Sequence, residues 1–314
     1  MGVLQLEEGV GEDDASLIYH LPLAFANVLA DTSSPDYCVS MIQAVPSLMA
    51  RAKQLPEVFR HGRGQPYNDD DISEAIDRSH TIHTRHVFIP KLLPMVADGR
   101  MLAALEAGVR CADLGCGSGC LLLALAARFP KSEFHGFEIS EVALAQANVS
   151  LHLSTVRNVT FHDSREDGQA LDVLGPFPVI LTYDVLHDAT HPEHLIAMVR
   201  AALAPGGVWL MGDINCADGV RGNLAKDKRA MSATYFSFSM CLCMSSALSE
   251  PGGAGLGTLG FGVSVARKML GEAGFKHVKV LMEHQAVRWF EAAPEPRGIL
   301  DEYAQAANAL KLFL

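Results

Sequence analysis

The stretch Asp113-Leu-Gly115-Cys-Gly117-Ser-Gly119 constrains this chain more than any other. It joins a short run at 109–113 to a leucine- and alanine-rich run at 119–129. Glycines spaced this way let a backbone turn through positive φ and approach a ligand closely. A strand passing through such a turn into a helix opens a parallel α/β unit. The pattern then repeats, with strands expected at 134–138, 159–163, 179–183 and 207–212 and helices at 140–152 and 191–203. A helix at 263–273 and a strand at 277–282 resume it, and 297–313 reads as an amphipathic tail helix. Strands alternating with helices of 10–15 residues imply a mostly parallel sheet covered on both faces.

Composition narrows the class. With 314 residues, 49% of them hydrophobic and 19% charged, the chain has material for one large or two modest domains. A net charge of −11 argues against nucleic acid or an anionic membrane as a partner held by the overall field. Seven cysteines in this length fit a reducing compartment better than a disulfide framework. The acidic residues at 7–14 do not suit a secretory signal, so a cytoplasmic protein is expected. Residues 230–266 carry one charge, Glu250, yet they hold too much serine and glycine for a bilayer helix. The segment 217–262 is therefore expected to be a lid over a ligand. Residues 1–100 read as a helical region broken by proline and glycine, 101–293 as the sheet domain and 294–314 as the tail.

The acids at the strand ends say what the turn holds. Asp113, two residues before the first glycine, would repel a pyrophosphate but suits an ammonium group. The dinucleotide pattern also fails at its third glycine, which is Cys120 here. Glu138 ends the next strand, where a carboxylate accepts from ribose hydroxyls. Asp163 ends the strand after that and is placed to meet an adenine amino group. Amine, ribose and base in that order describe S-adenosylmethionine.

On these residues and the Leu203-Ala-Pro205-Gly206-Gly207 turn, the stretch 109–212 resembles the class I S-adenosylmethionine-dependent methyltransferases. The resemblance implies a Rossmann-like seven-stranded, mostly parallel sheet. It assigns the cofactor to Asp113, Gly115, Gly117, Gly119, Glu138 and Asp163, with Asp184 added. A finer similarity, carried by Gly62-Arg-Gly64-Gln-Pro66-Tyr67, Asp184-Val-Leu-His187-Asp188 and Gly253-Ala-Gly255-Leu-Gly257, is to a subfamily with an N-terminal winged-helix remnant. Only about 50 residues precede a helix at 51–61, so a complete winged helix with its linker is not expected and the DNA-binding part is expected to be absent or degenerate. A homodimer paired through N-terminal helices is compatible with the resemblance.

Catalysis is expected from His187 and Asp188, which resemble the His-Asp base of small-molecule O-methyltransferases. An imidazole there accepts a proton from a hydroxyl or thiol as methyl arrives. Asp188, the nearest acid in sequence, is expected to orient it. Thr190-His-Pro-Glu193 reads as a capping box for the following helix. On a helix at 72–89, Ile72, Ile76, His80, His83 and Val87 share one stripe, which is either ordinary core or the roof of an acceptor pocket. Tyr67, His80, His83 and Tyr235 are the expected acceptor contacts. Two histidine trios, at 80, 83 and 86 and at 187, 191 and 194, lack the spacing of a zinc site, and no metal is expected. Cys241 and Cys243 are expected to line a pocket at most. The leading expectation is methyl transfer to a small-molecule hydroxyl or sulfur. The alternatives are a cofactor-responsive regulator without catalysis and a protein or nucleic-acid methyltransferase. The regulator is disfavoured because residues 1–50 contain no Lys or Arg.

Overall fold

A computed structural model describes residues 3–6, 18–67, 69–165, 171–225, 229–284, 286–295, 300–303 and 305. Near the front, β1 (Gln5–Leu6) pairs antiparallel with β2 (Tyr19–His20). Helices α1 (Leu23–Leu29), α2 (Val39–Gln43), α3 (Val45–Ala52) and α4 (Leu55–His61) follow. Helix α5 (Asp70–His83) starts at Asp69, whose carboxylate accepts from the Ile72 amide at 3.1 Å. The expected 72–89 helix does not continue as one α-helix. It passes at Thr84 into a π-helix, Thr84–Leu92, and then a 3₁₀ segment, Leu93–Gly99, before α6 (Arg100–Ala107).

The sheet domain alternates as its sequence pattern requires. It runs β3 (Arg110–Leu114), α7 (Cys120–Arg128), β4 (Glu133–Glu138), α8 (Glu141–Leu153), β5 (Val159–Asp163), α9 (Leu171–Leu174), β6 (Phe177–Tyr183), α10 (Pro192–Ala202) and β7 (Leu203–Ile214). Helices α11 (Gly219–Asn223), α12 (Arg229–Cys241) and α13 (Cys243–Ala247) form the insertion. The chain then makes α14 (Val263–Glu272), β8 (His277–His284) and β9 (Val287–Ala293). Seven strands lie in the order β5-β4-β3-β6-β7-β9-β8, all parallel except β9. The closing strand β9 extends the sequence reading, which had only the strand at 277–282. The tail expected at 297–313 lies largely outside the described residues. Helix α10 starts at Pro192 with His191 as its cap residue and no side-chain cap bond, so Thr190 does not form the expected capping box. Proline fits that first position because its missing N–H would be unpaired anyway.

Strand side chains alternate between two cores, as period two demands. Val179 and Leu181 of β6 face a cluster with Leu122, Leu125 and Trp289, while Ile180 faces Ile196, Val199 and Leu270. A smaller cluster joins Leu48 of α3, Ile72 and Ala75 of α5 and Leu242 and Cys243 of the insertion. The uncharged stretch 230–249 of the insertion thus packs on the N-terminal helices. No helix among the described residues is long and apolar enough to cross a membrane.

Candidate active site

Strand order reverses on either side of β3, which pairs with β4 on one edge and β6 on the other. Ligands of open α/β sheets bind at the carboxyl ends of the strands beside such a switch. The glycine turn leaves β3 at this point, with Gly115, Gly117 and Gly119 all at positive φ. A methyl group added at Gly117 would meet nothing within 4 Å, whereas one at Gly115 would sit 2.6 Å from the Val185 side chain. Gly115 is closed by packing, and Gly117 faces open space where a ligand backbone contact is feasible.

Asp113 ends β3 beneath this turn. It is 2% exposed and its Oδ1 has no hydrogen-bond partner. Burial, with the neighbouring Glu138 charge, pushes its carboxyl up to about 8. A buried carboxyl left unpaired is a site prepared for a cation. Glu138, at the end of β4, is turned inward and held by three backbone amides, those of Gly117, Ile139 and Ser140, each at 2.8 Å. Burial raises its pKa against the pull of those amides. The contact from Gly117 ties the second acid directly to the turn. Asp163 lies opposite Glu138 in register, but its carboxylate is taken up by Arg165 through Nε at 2.9 Å and Nη2 at 2.6 Å. Those hydrogen bonds hold it down at about 2.

A second group of acids surrounds His187. Asp184 follows β6 with φ of 65°, an uncommon conformation for a non-glycine residue that clusters at functional sites. His187 is 2% exposed, and its Nδ1 lies 2.9 Å from Asp213 Oδ1 and 3.7 Å from Asp184 Oδ1. The partner that orients His187 is therefore Asp213, at the end of β7, and not the expected Asp188. Burial opposes an imidazolium at 187, but the Asp213 carboxylate and the neighbouring Cys243 side chain together override it and hold the pKa well above the ordinary value. Asp188 is pushed up to about 7, first by burial and then by Asp184, Asp213 and Glu138 against the pull of His187. Burial also presses on Asp184, yet His80 and His187 keep its pKa below normal. Asp184, His187 and Asp213 bring ligating atoms within 4.8 Å of one another, a grouping the sequence did not suggest.

The N-terminal helices and the insertion cover this centre. His80 Nε2 lies 3.6 Å from Asp184 Oδ2, and its ring stacks on Tyr183 at 3.8 Å. His83, one turn on, packs against Tyr183, His284 and Trp289. The Tyr67 hydroxyl is raised well above its usual range by burial and then by the charges of Asp188 and Asp184. Burial and the Asp184 charge raise Tyr235 as well. Of the four residues expected to meet the acceptor, His80 and His83 thus pack on Tyr183, and the charge of Asp184 reaches Tyr67 and Tyr235. The buried Arg51 fixes the strap that carries Tyr67, donating to the carbonyls of Gln65 at 3.3 Å, Pro66 at 3.4 Å and Cys241 at 2.7 Å. The glycine loop of the insertion docks on the same edge, Gly257 donating to the His187 carbonyl at 2.8 Å and Ala254 to that of Thr190 at 2.9 Å.

Asp213, Trp289 and His284 escaped the sequence reading. Asp213 had a usable signal, because it ends a strand as Asp113, Glu138 and Asp163 do. The other two had none, since they lie on the final antiparallel pair, whose place beside β7 no local pattern reveals.

Residues 112–209 match the family model described as a methyltransferase domain. Ribosomal RNA large subunit methyltransferase G of Pseudomonas aeruginosa is 28% identical over 227 residues, 67% of this chain and 56% of that protein. A ubiquinone biosynthesis O-methyltransferase of Aromatoleum aromaticum is 29% identical over 109 residues, 35% of this chain and 45% of its own. The chain spans about half the length of the curated relatives it matches. Among solved structures, an O-methyltransferase family protein from Burkholderia thailandensis aligns with a TM-score of 0.62 at 15% identity, covering 93% of this chain and 79% of the other. Human N-acetylserotonin methyltransferase in complex with S-adenosylmethionine aligns at 0.60 and 17% identity, covering 92% and 78%. The unpaired Asp113, the open Gly117 and the inward Glu138 fit that cofactor's ammonium, backbone and ribose groups. The family match and the sheet order together identify residues 112–209 as a methyltransferase domain of the class I, S-adenosylmethionine-dependent kind.

Proposed function

We propose that this protein transfers methyl from S-adenosylmethionine to an oxygen of a small, uncharged or cationic molecule, with His187 taking the acceptor's proton. The observation that carries the reading is the His187–Asp213 hydrogen bond, buried at the ends of adjacent strands beside the glycine turn. When bound, the cofactor supplies a sulfonium-activated methyl group, so the protein's work is alignment and proton removal. Asp113 pairs with the ammonium, Glu138 accepts from the ribose and the turn backbone approaches at Gly117. Asp213 holds His187 to one tautomer, with the proton on Nδ1, and Nε2 accepts once the ring is neutral, with the Cys243 side chain as its neighbour. Tyr67, His80 and the insertion exclude water.

The small-molecule reading is preferred over RNA, despite the ribosomal RNA methyltransferase relative, because Asp184, Asp188 and Asp213 crowd the centre and the chain carries −11 overall. A polyanion would be repelled at both scales. The test is methyl transfer from labelled S-adenosylmethionine to a panel of small phenols and alcohols, run beside total RNA and peptides. Label should enter a small hydroxyl compound, and His187→Ala should lower kcat by about 10²–10⁴-fold. Label entering only RNA would contradict the proposal.

A further inference from the structure

The glycine turn is held almost wholly from within the sheet domain. A methyl group added at Gly115 would sit 2.6 Å from the Val185 side chain, and one at Gly119 would overlap the Phe161 ring. The Gly115 amide donates to the Phe137 carbonyl at 2.8 Å, and the Gly117 amide to Glu138 at 2.8 Å. Ser118 is the exception. It is 8% exposed, and its hydroxyl donates to the carboxylate of Asp77 on helix α5. The Cys120 side chain, first in α7, is a hydrogen-bonding neighbour of Asp77 and Thr81 as well. Asp77 lies outside residues 112–209, the stretch that matches the methyltransferase domain. An acid from the N-terminal region therefore reaches into the turn.

Nothing in α5 itself calls for an acid at this position. Asp77 sits in the middle of the helix, where aspartate is a poor helix former because its carboxylate competes for backbone groups. Alanine there would favour the helix more, so the return comes from the contact with Ser118. The same helix reaches in both directions from that contact. Ser73 Oγ donates to Gln146 Oε1 of α8 at 3.3 Å, and His80 Nε2 lies 3.6 Å from Asp184 Oδ2. Positions 73, 77 and 80 follow the i, i+4, i+7 spacing of one helix face. That face runs from α8 across the cofactor turn to the loop after β6.

We propose that Asp77 is a positioning residue of the cofactor site, holding the turn through Ser118, and that cofactor binding at the turn thereby seats α5 and brings His80 over Asp184. A bound cofactor keeps Gly117 and Ser118 in one conformation, which favours the contact with Asp77. The contact favours the bound conformation of the turn by the same amount, because such coupling is reciprocal. The cofactor then arrives before the methyl-transfer centre is covered. This rests on reading the Gly115–Gly119 turn as the cofactor site and Asp184 as part of the methyl-transfer centre.

The experiment measures S-adenosylhomocysteine binding to the full chain by calorimetry, in wild type, Ser118→Ala, Asp77→Ala, Asp77→Asn and the double alanine variant. Each single alanine variant should weaken binding at least fivefold. The double variant should lie within twofold of the weaker single one, because both changes remove the same contact. Asp77→Asn keeps an accepting oxygen and should stay within threefold of wild type. Ser118→Ala leaves α5 untouched, so it tests the contact even where Asp77→Ala disturbs folding. Hydrogen exchange supplies a readout that a purely structural contact would not move. S-adenosylhomocysteine should slow exchange in 77–83 of the wild-type chain. In Ser118→Ala, at saturating ligand, that protection should vanish while 115–119 stays protected. Unchanged affinity in both alanine variants, losses that add in full, or protection of 77–83 that persists in Ser118→Ala would overturn the proposal and leave the cofactor site standing. A wild-type chain that does not bind S-adenosylhomocysteine would overturn the cofactor site, and the role of Asp77 with it.

Discussion

At His187, burial and charge pull in opposite directions, and the outcome fixes how the residue would behave as a base. Burial is the largest single influence and lowers the imidazole's affinity for a proton, but the Asp213 carboxylate, 2.9 Å away, and the Cys243 side chain together raise it by more. The base is therefore strong but neutral only at higher pH, and the acid limb of kcat/KM should lie above the ordinary histidine value of about 6.5. Asp213→Asn should move that limb to lower pH and reduce kcat by about 10²–10⁴-fold, measured as a pH–rate profile. A limb that stays in place would remove Asp213 from the account. Asp113 carries the other residue-scale prediction. Its unpaired carboxyl is expected to meet the cofactor ammonium, so Asp113→Asn should weaken S-adenosylhomocysteine binding by about 1.5–3 kcal/mol in calorimetry. Affinity equal to wild type would place the ammonium elsewhere. Asp113 was legible in the sequence because a strand-end acid next to a glycine turn has a local signature. Asp213 was legible by the same rule but passed over, because Asp188 stood nearer to His187 along the chain.

Between residues and whole chain, the strap at 63–67 decides where the insertion sits. Gly64 approaches so closely that an added methyl would fall 1.8 Å from the Ser245 carbonyl oxygen, and its amide donates to Leu248 at 2.9 Å. Gln65 donates to Ser245 Oγ at 2.9 Å, and Arg63 to the Ser249 carbonyl at 3.0 Å. Arg51 grips the strap and the end of α12 together. Arg51→Met should cost about 1.5–3 kcal/mol, as for hydrogen bonds to a charged group. Hydrogen exchange should then rise in 63–67 and 241–249 together, and Gly64→Ala should do the same. Exchange rising in one segment alone would mean that the two are not coupled. The Gly62-Arg-Gly64-Gln-Pro66-Tyr67 motif was visible as a sequence feature. Its contact with 245–249 was not, because some 180 residues separate the two and no periodicity links them.

At the scale of the molecule, two buried groups make stability depend on pH in opposite senses. His83 has a folded pKa of about 3 against 6.5 unfolded, so the unfolded chain binds more protons in that window and stability falls as pH drops through it. Asp113, at about 8 against 3.8, makes the folded chain the better proton binder, so its contribution is lost as pH rises towards 8. Between 6.5 and 8 Asp113 acts with little opposition from His83. Asp113 alone should cost the cofactor-free protein about 2 kcal/mol there in denaturant titrations, at about 1.4 kcal/mol per pH unit, and the raised His187 and Asp188 act in the same sense. Saturating S-adenosylmethionine should flatten the slope, because an ammonium then pairs with the carboxylate; an unchanged slope would contradict that pairing. The sheet itself was the most legible part of the fold, because strands buried on both faces read as apolar runs between helices of regular length. The final pair, β8 and β9, was read only in part, since Arg288 and Glu291 interrupt the apolar run of β9 while lying buried within it. The measurement that bears most directly on the whole account is a crystal structure of the chain with S-adenosylhomocysteine. The ammonium should lie on Asp113, the ribose hydroxyls on Glu138, and the sulfur should turn towards His187 with room for one methyl and an acceptor oxygen between them. A sulfur atom facing away from His187, or a ligand seated off the Gly115–Gly119 turn, would contradict it.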